Sequence, residues 1–381
     1  MSPAGPSKRA ERLSRRLILR GTLALAGLGL ASCAAPAAPP APTAAATKPA
    51  ALVAPASPAP SPSPAASPAA AAGAPAKLAT IRAAWVAKTA NQMLWPLAKE
   101  AGYFDKYGVS FELSYVNGSS TAIPALLARD LDTASTAASA VVGAQAAGQD
   151  IVMVAGFLNQ AVFRVLAAKD VPGIEDVKGK TIAVTRIGNA DYFAWQSIMG
   201  LYGWKQDDLT FVSADSVEGQ VALLNSGAVQ AIAVSPPNNV LAEQIGAHEV
   251  LDTAKLNIPE QNVGIIVTRR YMDENRAAML NVIKASIEAV ARWRSDLAFT
   301  KDVIKQYLQT TDQRFIDVGY EAYAPVWPEV PYPSREGVAK VIEQVSAQNP
   351  KAKDLSPDQI VDGSLVKELE DSGFIRQVFG R

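Results

Sequence analysis

Short apolar stretches alternate with amphipathic ones along most of the chain beyond about residue 78. Apolar runs of strand length predict strands at Thr80–Trp85, Ser110–Val116, Leu131–Ser135, Ile151–Phe157, Thr181–Thr185, Leu209–Val212, Gln230–Val234 and Val263–Thr268. Helical spacing predicts helices at Met93–Ala101, Ala122–Ala128, Ala137–Ala147, Asp191–Tyr202, Val217–Asn225 and Val240–Gly246, followed by one long helix over about Glu274–Phe299. Repeated strand–helix units predict an α/β fold with mainly parallel sheets that carry helices on both faces.

The size of this patterned region suits two lobes. It runs from Leu78 to Arg381, about 300 residues, which is long for a single hydrophobic core.

The whole chain carries 36 basic and 36 acidic residues, and without residues 1–33 it carries 30 and 35. This mildly acidic balance, without a basic patch, argues against nucleic acid as a partner.

Cys33, the single cysteine, follows a basic segment and then an apolar one. The apolar segment, Thr22–Leu30, is about half as long as a helix that spans a bilayer. The tetrapeptide that ends at Cys33, Leu-Ala-Ser-Cys, resembles the lipobox of bacterial lipoproteins, in which the cysteine is acylated and begins the mature protein. We therefore expect residues 1–33 to be a lipoprotein signal peptide and Cys33 to carry the only membrane anchor.

The route of export rests on the basic segment. Arg15 and Arg16 lie in a stretch that resembles a twin-arginine motif, although Ile18 stands where Phe is usual and Arg20 where Lys is usual. A basic segment that uses the general Sec route is the alternative. The following residues, 34–77, are almost entirely Ala, Pro, Ser and Thr, a composition that predicts a disordered, semi-rigid tether.

The reactive residues exclude several enzyme classes. Once Cys33 is acylated, no thiol remains for catalysis, a disulfide or a metal. His248 is the only histidine, and it lies where a predicted helix leads into a strand, so a surface position is favoured over the base of a catalytic triad. Zinc sites built from His and Cys are excluded. We expect no cofactor, no metal and no catalytic residues.

Four segments carry a family resemblance. They are Leu97–Val109 (LAKEAGYFDKYGV), Gly118–Leu126 (GSSTAIPAL), Asp176–Val184 (DVKGKTIAV) and Leu223–Ala231 (LLNSGAVQA). In order and spacing they resemble periplasmic binding proteins of the aliphatic sulfonate, taurine and thiamine-precursor type (SsuA/THI5-like, NMT1-like), over about Leu78 to Phe315.

This resemblance implies a monomeric, two-lobed solute-binding lipoprotein that lies outside the cytoplasm, in the periplasm or at the cell surface, and delivers its ligand to an ABC permease in the membrane. The family's fold, the type II periplasmic binding protein, joins two α/β lobes by two crossover strands and binds its ligand between them. Applied here, residues 78–166 and 266–381 with the C-terminal helices would form lobe 1, and residues 167–265 would form lobe 2. Closure of the lobes would bury the ligand.

The candidate ligand-binding residues follow the carboxyl ends of the predicted strands, where such sheets bind ligands. They are Trp85, Lys88, Asn91, Ser119, Ser120, Ser135, Thr136, Asn159, Arg186, Gly188, Asn189 and Ser235. Unpaired N–H groups at helix starts favour an anion, so a sulfonate or taurine-like anion is the favoured solute. The carboxylate of Asp191 would compete for the same donors, and serines at these positions also cap their own helices.

Several alternatives stay open at this point. The solute could be a thiamine pyrimidine precursor or another heterocycle in place of an anion. A sensor that presents its ligand to a membrane receptor would have the same sequence features. An enzyme on the same fold is disfavoured, since related enzymes rely on a cysteine or on a histidine that this chain does not offer in a suitable place.

Overall fold

The structure, a computed structural model, describes residues 79–380. The expected signal peptide, the twin-arginine pair Arg15 and Arg16, Cys33 and the tether lie outside the described residues. The strands are β1 Ala79–Trp85, β2 Val109–Tyr115, β3 Thr133–Thr136, β4 Ile151–Gln160, β5 Arg164–Ala167, β6 Thr181–Val184, β7 Thr210–Ser213, β8 Ala231–Val234, β9 His248–Asp252 and β10 Pro259–Thr268.

Helices connect most of these strands and form the C-terminal part of the described chain. They are α1 Leu94–Glu100, α2 Tyr103–Lys106, α3 Ser119–Leu127, α4 Ala138–Ala146, α5 Ala190–Leu201, α6 Val217–Asn225, α7 Asn239–Gln244, α8 Arg269–Glu274, α9 Arg276–Ser295, α10 Leu297–Leu308, α11 Gln313–Tyr323, α12 Arg335–Ser346, α13 Pro357–Ile360, α14 Ser364–Asp371 and α15 Phe374–Val378. Within residues 79–380, no helix is both long and apolar enough to cross a bilayer.

The strands form two five-stranded sheets. The first has the order β2-β1-β3-β10-β4, and the second has the order β7-β6-β8-β5-β9. This confirms the α/β fold with helix-flanked sheets. Each sheet is mixed, because β10 runs antiparallel to β3 and β4, and β5 runs antiparallel to β8 and β9. The division of the chain into lobes at residues 166 and 265 stays a prediction.

The sequence pattern missed one strand, left another without bounds, and gave one helix wrongly. It did not show β5, which has four residues, and it indicated β9 only as a strand after the helix that ends near His248. The single helix expected over Glu274–Phe299 is three helices, α8, α9 and α10. The break before α10 occurs at Asp296, whose carboxylate accepts a hydrogen bond from the backbone N–H of Phe299 at 3.1 Å and so caps a new helix.

The two sheets are joined by an antiparallel pair of segments. β4 pairs with β10 along most of its length, and the pairing continues where Ala161 donates its N–H to the carbonyl of Ile258 at 3.0 Å. Next, the N–H of Phe163 donates to the hydroxyl oxygen of Thr253, and the N–H of Thr253 donates to the carbonyl of Phe163. Beyond them, β5 pairs with β9 in the second sheet. The two connecting segments are residues 161–163 and 253–258, and hydrogen bonds between them join one sheet to the other.

Buried apolar side chains cover both faces of the first sheet. On one face α9 presents Met279, Ile283, Val290 and other residues at helical spacing to the strands. On the other face α4 and α12 contribute to a second apolar cluster. That cluster continues into the second sheet through α5, so burial of apolar surface as well as the strand pair holds the two sheets together.

Glycine permits the close approach of β4 and β10. A Cβ on Gly264 would lie 2.6 Å from the carbonyl oxygen of Ala155 on β4 and would also collide with the side chain of Met153. Gly156 is similarly enclosed, with the Cα of Pro333 at 2.7 Å from the position of a Cβ. A larger residue at Gly264 would push β4 and β10 apart, and a larger residue at Gly156 would displace the backbone of Pro333.

We expect Gly264→Ala to destabilise the protein by about 1–3 kcal/mol, since the added methyl group overlaps backbone that cannot move without breaking the pairing. Urea unfolding of the full chain would measure the change. Gly143→Ala in α4 is the matched control, because nothing lies within 4 Å of its Cβ position, and helix propensity should make it neutral or stabilising by up to ~1 kcal/mol. Equal stability of the two variants would contradict the packing argument.

Candidate functional site: a cavity between the two sheets

A cavity of about 250 Å³ lies between the carboxyl ends of the parallel strands of the two sheets. The first sheet contributes the loop after β1 and the segment from the end of β2 to the start of α3. The second sheet contributes the loops after β6, β7 and β8, and Phe163 lies on the connecting segment. The lining residues are Val86, Ala87, Lys88, Thr89, Tyr115, Asn117, Gly118, Ser119, Phe163, Thr185, Asn189, Ala190, Asp191, Ser216, Val217, Glu218, Gln220, Ala233, Val234 and Ser235.

Four of the residues expected from the sequence line this cavity: Lys88, Ser119, Asn189 and Ser235. Lys88 is exposed, and its Nζ lies 5.3 Å from the centre of the Tyr115 ring. The Ser119 hydroxyl lies 2.5 Å from that of Thr136. Asn189 immediately precedes α5 and donates from Nδ2 to the Thr185 hydroxyl at 3.1 Å.

The other expected residues lie behind or beside the cavity wall. Trp85 is buried and packs against the ring of Tyr115 at 5.1 Å between ring centres, so it supports the wall without lining it. Ser135 and Thr136 are buried on β3, so a bulky substitution at Thr136 would disturb the core. Asn159 donates to the carbonyl of Tyr332 at 3.1 Å. Gly188 is exposed, with a φ of +89° that suits glycine, and does not line the cavity.

Arg186 and Ser120 lie at the edge of the cleft. The Arg186 guanidinium forms an ion pair with Asp215 at 3.2 Å and also donates to the Ser120 hydroxyl at 3.4 Å. Nearby, Asn117 donates to the carbonyl of Asp215 at 3.4 Å. The bonds of Arg186 to Ser120 and of Asn117 to Asp215 join the loops of the two sheets across the cleft, and Arg186 lies outside the residues that line the cavity.

Asp191, in the first turn of α5, is a buried polar group that lines the cavity. Its carboxylate accepts the backbone N–H of Thr185 at 2.5 Å, the Thr185 hydroxyl at 2.9 Å and Nε2 of Gln220 at 2.9 Å. Burial raises its pKa to about 6, against the opposing effect of these hydrogen bonds. Asp191 therefore occupies the two donors of Thr185 and one donor of Gln220 beside the start of α5, and the expected competition with an anionic ligand stays a prediction.

Sequence reasoning missed several lining residues. Gln220 is polar but fully buried, and it lies on α6 among the apolar residues Val217, Val221 and Leu224. A glutamine in an apolar helical pattern could have indicated a buried polar group near the cavity. Tyr115 and Phe163 gave none, since aromatic residues at strand ends more often pack in the core.

A series of hydrogen bonds between buried polar side chains leads from the cavity wall to β10. The hydroxyl of Thr89 bonds to Oδ1 of Asn91, whose Nδ2 donates to Oδ1 of Asn262 at 3.4 Å. Asn262 in turn donates to Oε1 of Glu260 at 2.9 Å. The expected ligand residue Asn91 thus belongs to this chain of hydrogen bonds. Burial raises the pKa of Glu260 to about 7.

The family model described as NMT1/THI5 like matches residues 90–294, more than half of the chain. The chain belongs to the NMT1/THI5-like family. A search of curated protein sequences finds no match to it.

Solved structures share this fold at low sequence identity. A protein from Bordetella bronchiseptica RB50 is 18% identical, with a TM-score of 0.65 over 80% of this chain and 99% of its own. The periplasmic aliphatic sulphonate binding protein SsuA from Escherichia coli is 20% identical, with a TM-score of 0.63 over 76% and 99%. The periplasmic nitrate-binding protein NrtA from Synechocystis PCC 6803 is 15% identical, with a TM-score of 0.61 over 78% and 89%. At these identities the likeness establishes the periplasmic binding protein fold.

We expect Glu260→Gln to change how stability depends on pH. The pKa of Glu260 is raised from 4.5 to about 7 on folding, so the native chain retains a proton that the unfolded chain loses. This contribution to stability is present below pH ~4.5 and is lost as the pH rises towards ~7. The free energy of unfolding of the variant, taken relative to that of the unmodified protein, should therefore be up to about 3 kcal/mol higher at pH ~8 than at pH ~4.5.

Urea unfolding at both pH values measures this difference. The raised pKa of Asp191 contributes equally to the pH dependence of both proteins, so its contribution cancels in the comparison. Glu112→Gln, at an exposed position of β2, is the control and should behave alike at both pH values. A difference no larger than that of the control would show that Glu260 ionises normally in the folded protein.

Proposed function

We propose that this protein is the solute-binding component of an ABC importer and captures a small organic solute in the cavity between its two sheets. The observation that carries the proposal is the position of the cavity. It lies at the carboxyl ends of strands from both sheets, and only two chain segments connect those sheets within residues 79–380. Such a cleft suits capture and release of a ligand by a small rotation of one part against the other.

The relatives support this role. Proteins of the same fold include one named for aliphatic sulphonate and one named for nitrate, both periplasmic. We extend the role of periplasmic solute capture to this chain. The proposed activity is binding, without a catalytic residue, and the proposed partner is a permease in the membrane.

The division into lobes is part of the proposal. Residues 78–166 and 266–381 would move as one lobe, and residues 167–265 as the other. Support comes from the strands, since β1 to β4 and β10 share one sheet and β5 to β9 the other. The contacts of Arg186 and Asn117 at the edge of the cleft would form when the lobes close.

Location and anchoring rest on the sequence. We propose that the protein works as a monomer outside the cytoplasm, held to the membrane by a lipid on Cys33 and kept off the surface by residues 34–77. The twin-arginine pair Arg15 and Arg16 would direct its export. A sulfonate or taurine-like anion stays the solute predicted from the sequence, and a pyrimidine precursor or other heterocycle stays its alternative.

A thermal-shift screen of the full chain against sulfonates, carboxylates, nitrate, pyrimidines and amino acids tests the proposal. A bound solute at a hundred times its dissociation constant stabilises the native state by about 2.7 kcal/mol, enough to raise the melting temperature by several degrees. Asn189→Trp should abolish the shift, because the indole would enter the cavity at the first turn of α5.

The matched control is Leu201→Trp at the other end of α5, where the side chain is 55% exposed and does not line the cavity. It should keep both the stability of the ligand-free protein and the shift. If Asn189→Trp binds as well as the control variant does, the cavity is not the binding site.

A further inference from the structure

The helices that follow β10 reach both faces of the second sheet. On β6, Ile182 and Val184 belong to the apolar cluster of α5, and Ala183 between them belongs to the cluster of α6 and α7. Because side chains alternate along a strand, α5 covers one face of this sheet and α6 and α7 cover the other. The helix α12 packs against α5 on the first face, and α11 contacts α7 on the second. The second sheet is therefore held from two sides, in addition to the two connecting segments.

The contact of α12 with α5 is largely buried and lies near the connecting segments. At the start of α12, a Cβ on Gly337 would lie 2.7 Å from the backbone nitrogen of Gln261 on β10, so the helix sits directly on that strand. Further along α12, Gln344 donates to the Ser197 hydroxyl of α5 at 2.6 Å. Val345 is buried in the apolar cluster that α12 shares with α5. Separation of these two helices would expose apolar surface to water, so the contact is costly to break.

The C-terminal half of α11 is also buried between the two sheets. The Tyr323 hydroxyl donates at 3.3 Å to the carbonyl of Pro236, in the loop after β8. A Cβ on Gly319 would lie 3.2 Å from Cβ of Ala90, after β1, and 3.3 Å from Cγ of Pro237. Loops of both sheets thus pack against this half of α11, and the same loops line the cavity.

The N-terminal end of α11 meets α7 through polar side chains at the surface. Nε2 of Gln244 donates to Oδ2 of Asp312 at 2.8 Å, and Arg314 forms an ion pair with Glu243. The Arg314 side chain is 61% exposed. Exposed ion pairs are weak and are screened by salt, so they break readily. Arg314 lies about 14 Å along the helix axis from the buried Tyr323, at the end of α11 that a rotation of the second sheet would free first.

We propose that the N-terminal end of α11 is a releasable catch between the two sheets, and that the buried contact of α12 with α5 is the pivot about which the cleft opens. When the second sheet rotates away, the pivot persists, and the contacts of Arg314 with Glu243 and of Asp312 with Gln244 break. The catch therefore opposes opening and sets the fraction of ligand-free molecules that are closed. The inference rests on the lobe movement contained in the proposed function and adds the contact that controls it.

Single-molecule fluorescence energy transfer in the full chain tests the catch. Donor and acceptor dyes, attached through unnatural amino acids, replace Ala222 on α6 and Leu297 on α10. Both positions are exposed, and they lie outside the contacts described above. This labelling leaves Cys33 unmodified. The ligand-free protein should show a closed and an open population, and the ratio of open to closed molecules is the measured quantity.

Exchange of charges isolates the ion pair. Arg314→Glu and Glu243→Arg, each alone, place like charges opposite each other and should raise the ratio of open to closed molecules about threefold or more. The double variant restores an opposite pair and should return the ratio to within about twofold of the unmodified protein. Arg270→Glu is the matched control, since it makes the same change of charge opposite Glu274 within α8 and should leave the ratio unchanged.

Salt provides an independent measurement of the same contact. An increase from about 0.05 M to about 0.5 M sodium chloride screens an exposed ion pair and should raise the ratio of open to closed molecules in the unmodified protein. Arg314→Gln has no such pair to screen and should respond less, while Arg270→Gln should respond as the unmodified protein does. Equal salt responses of all three proteins would contradict the catch.

The outcomes separate this inference from the proposed function. If two populations are present but the single charge variants match the Arg270→Glu control, or if the double variant stays as open as the single ones, the ion pair is not a catch and lobe movement still stands. One unchanging population in every variant would count against the catch and against capture by lobe movement. Binding of a solute is measured separately, by the thermal-shift screen.

Discussion

The antiparallel pairing of β4 with β10 is the constraint on which the rest of the structure depends. The pair forms one side of the first sheet, and its continuation through Ala161–Ile258 and Phe163–Thr253 places β5 and β9 in the second sheet. The positions of the two sheets, and therefore the width of the cavity, follow from this pair. Gly156 and Gly264 are required because the neighbouring backbone leaves no room for a Cβ.

Buried polar groups connect this pair to the cavity. The hydrogen bonds from Thr89 through Asn91 and Asn262 reach Glu260 on β10, and α12 approaches the same strand where the N–H of Ser334 donates to Oε1 of Gln261 at 2.6 Å. The buried carboxyl group of Glu260 lacks a hydrogen-bond partner for Oε2 within residues 79–380, which lowers the stability of the fold. At the junction of two sheets it makes the geometry of the junction specific, since an apolar segment could slip in register and these side chains could not.

The order of strands and helices was predictable because each element has a short-range apolar period that the fold keeps. The helix α6 was predicted with its observed bounds, and most strands within a residue or two. The failures have local causes. The capping carboxylate of Asp296 divides an otherwise continuous helical pattern, and the charged and half-exposed residues of β9 conceal its pairing with β5. Of the expected site residues, those directly after strands β1, β6 and β8 reached the cavity more often than those on β3 or β4.

The sequence by itself determined the family, the α/β class and the end of the sheets at which the cavity lies, because periodicity, strand ends and segment order are properties of the chain read locally. Only the tertiary structure decided which polar groups in that region are free. Asp191 and Thr185 bond to each other, Arg186 pairs with Asp215, and Oε1 of the buried Gln220, on a different helix, has no hydrogen-bond partner within residues 79–380. Hydrogen bonds and ion pairs between residues far apart in sequence depend on distances of a few ångströms, which no local pattern encodes.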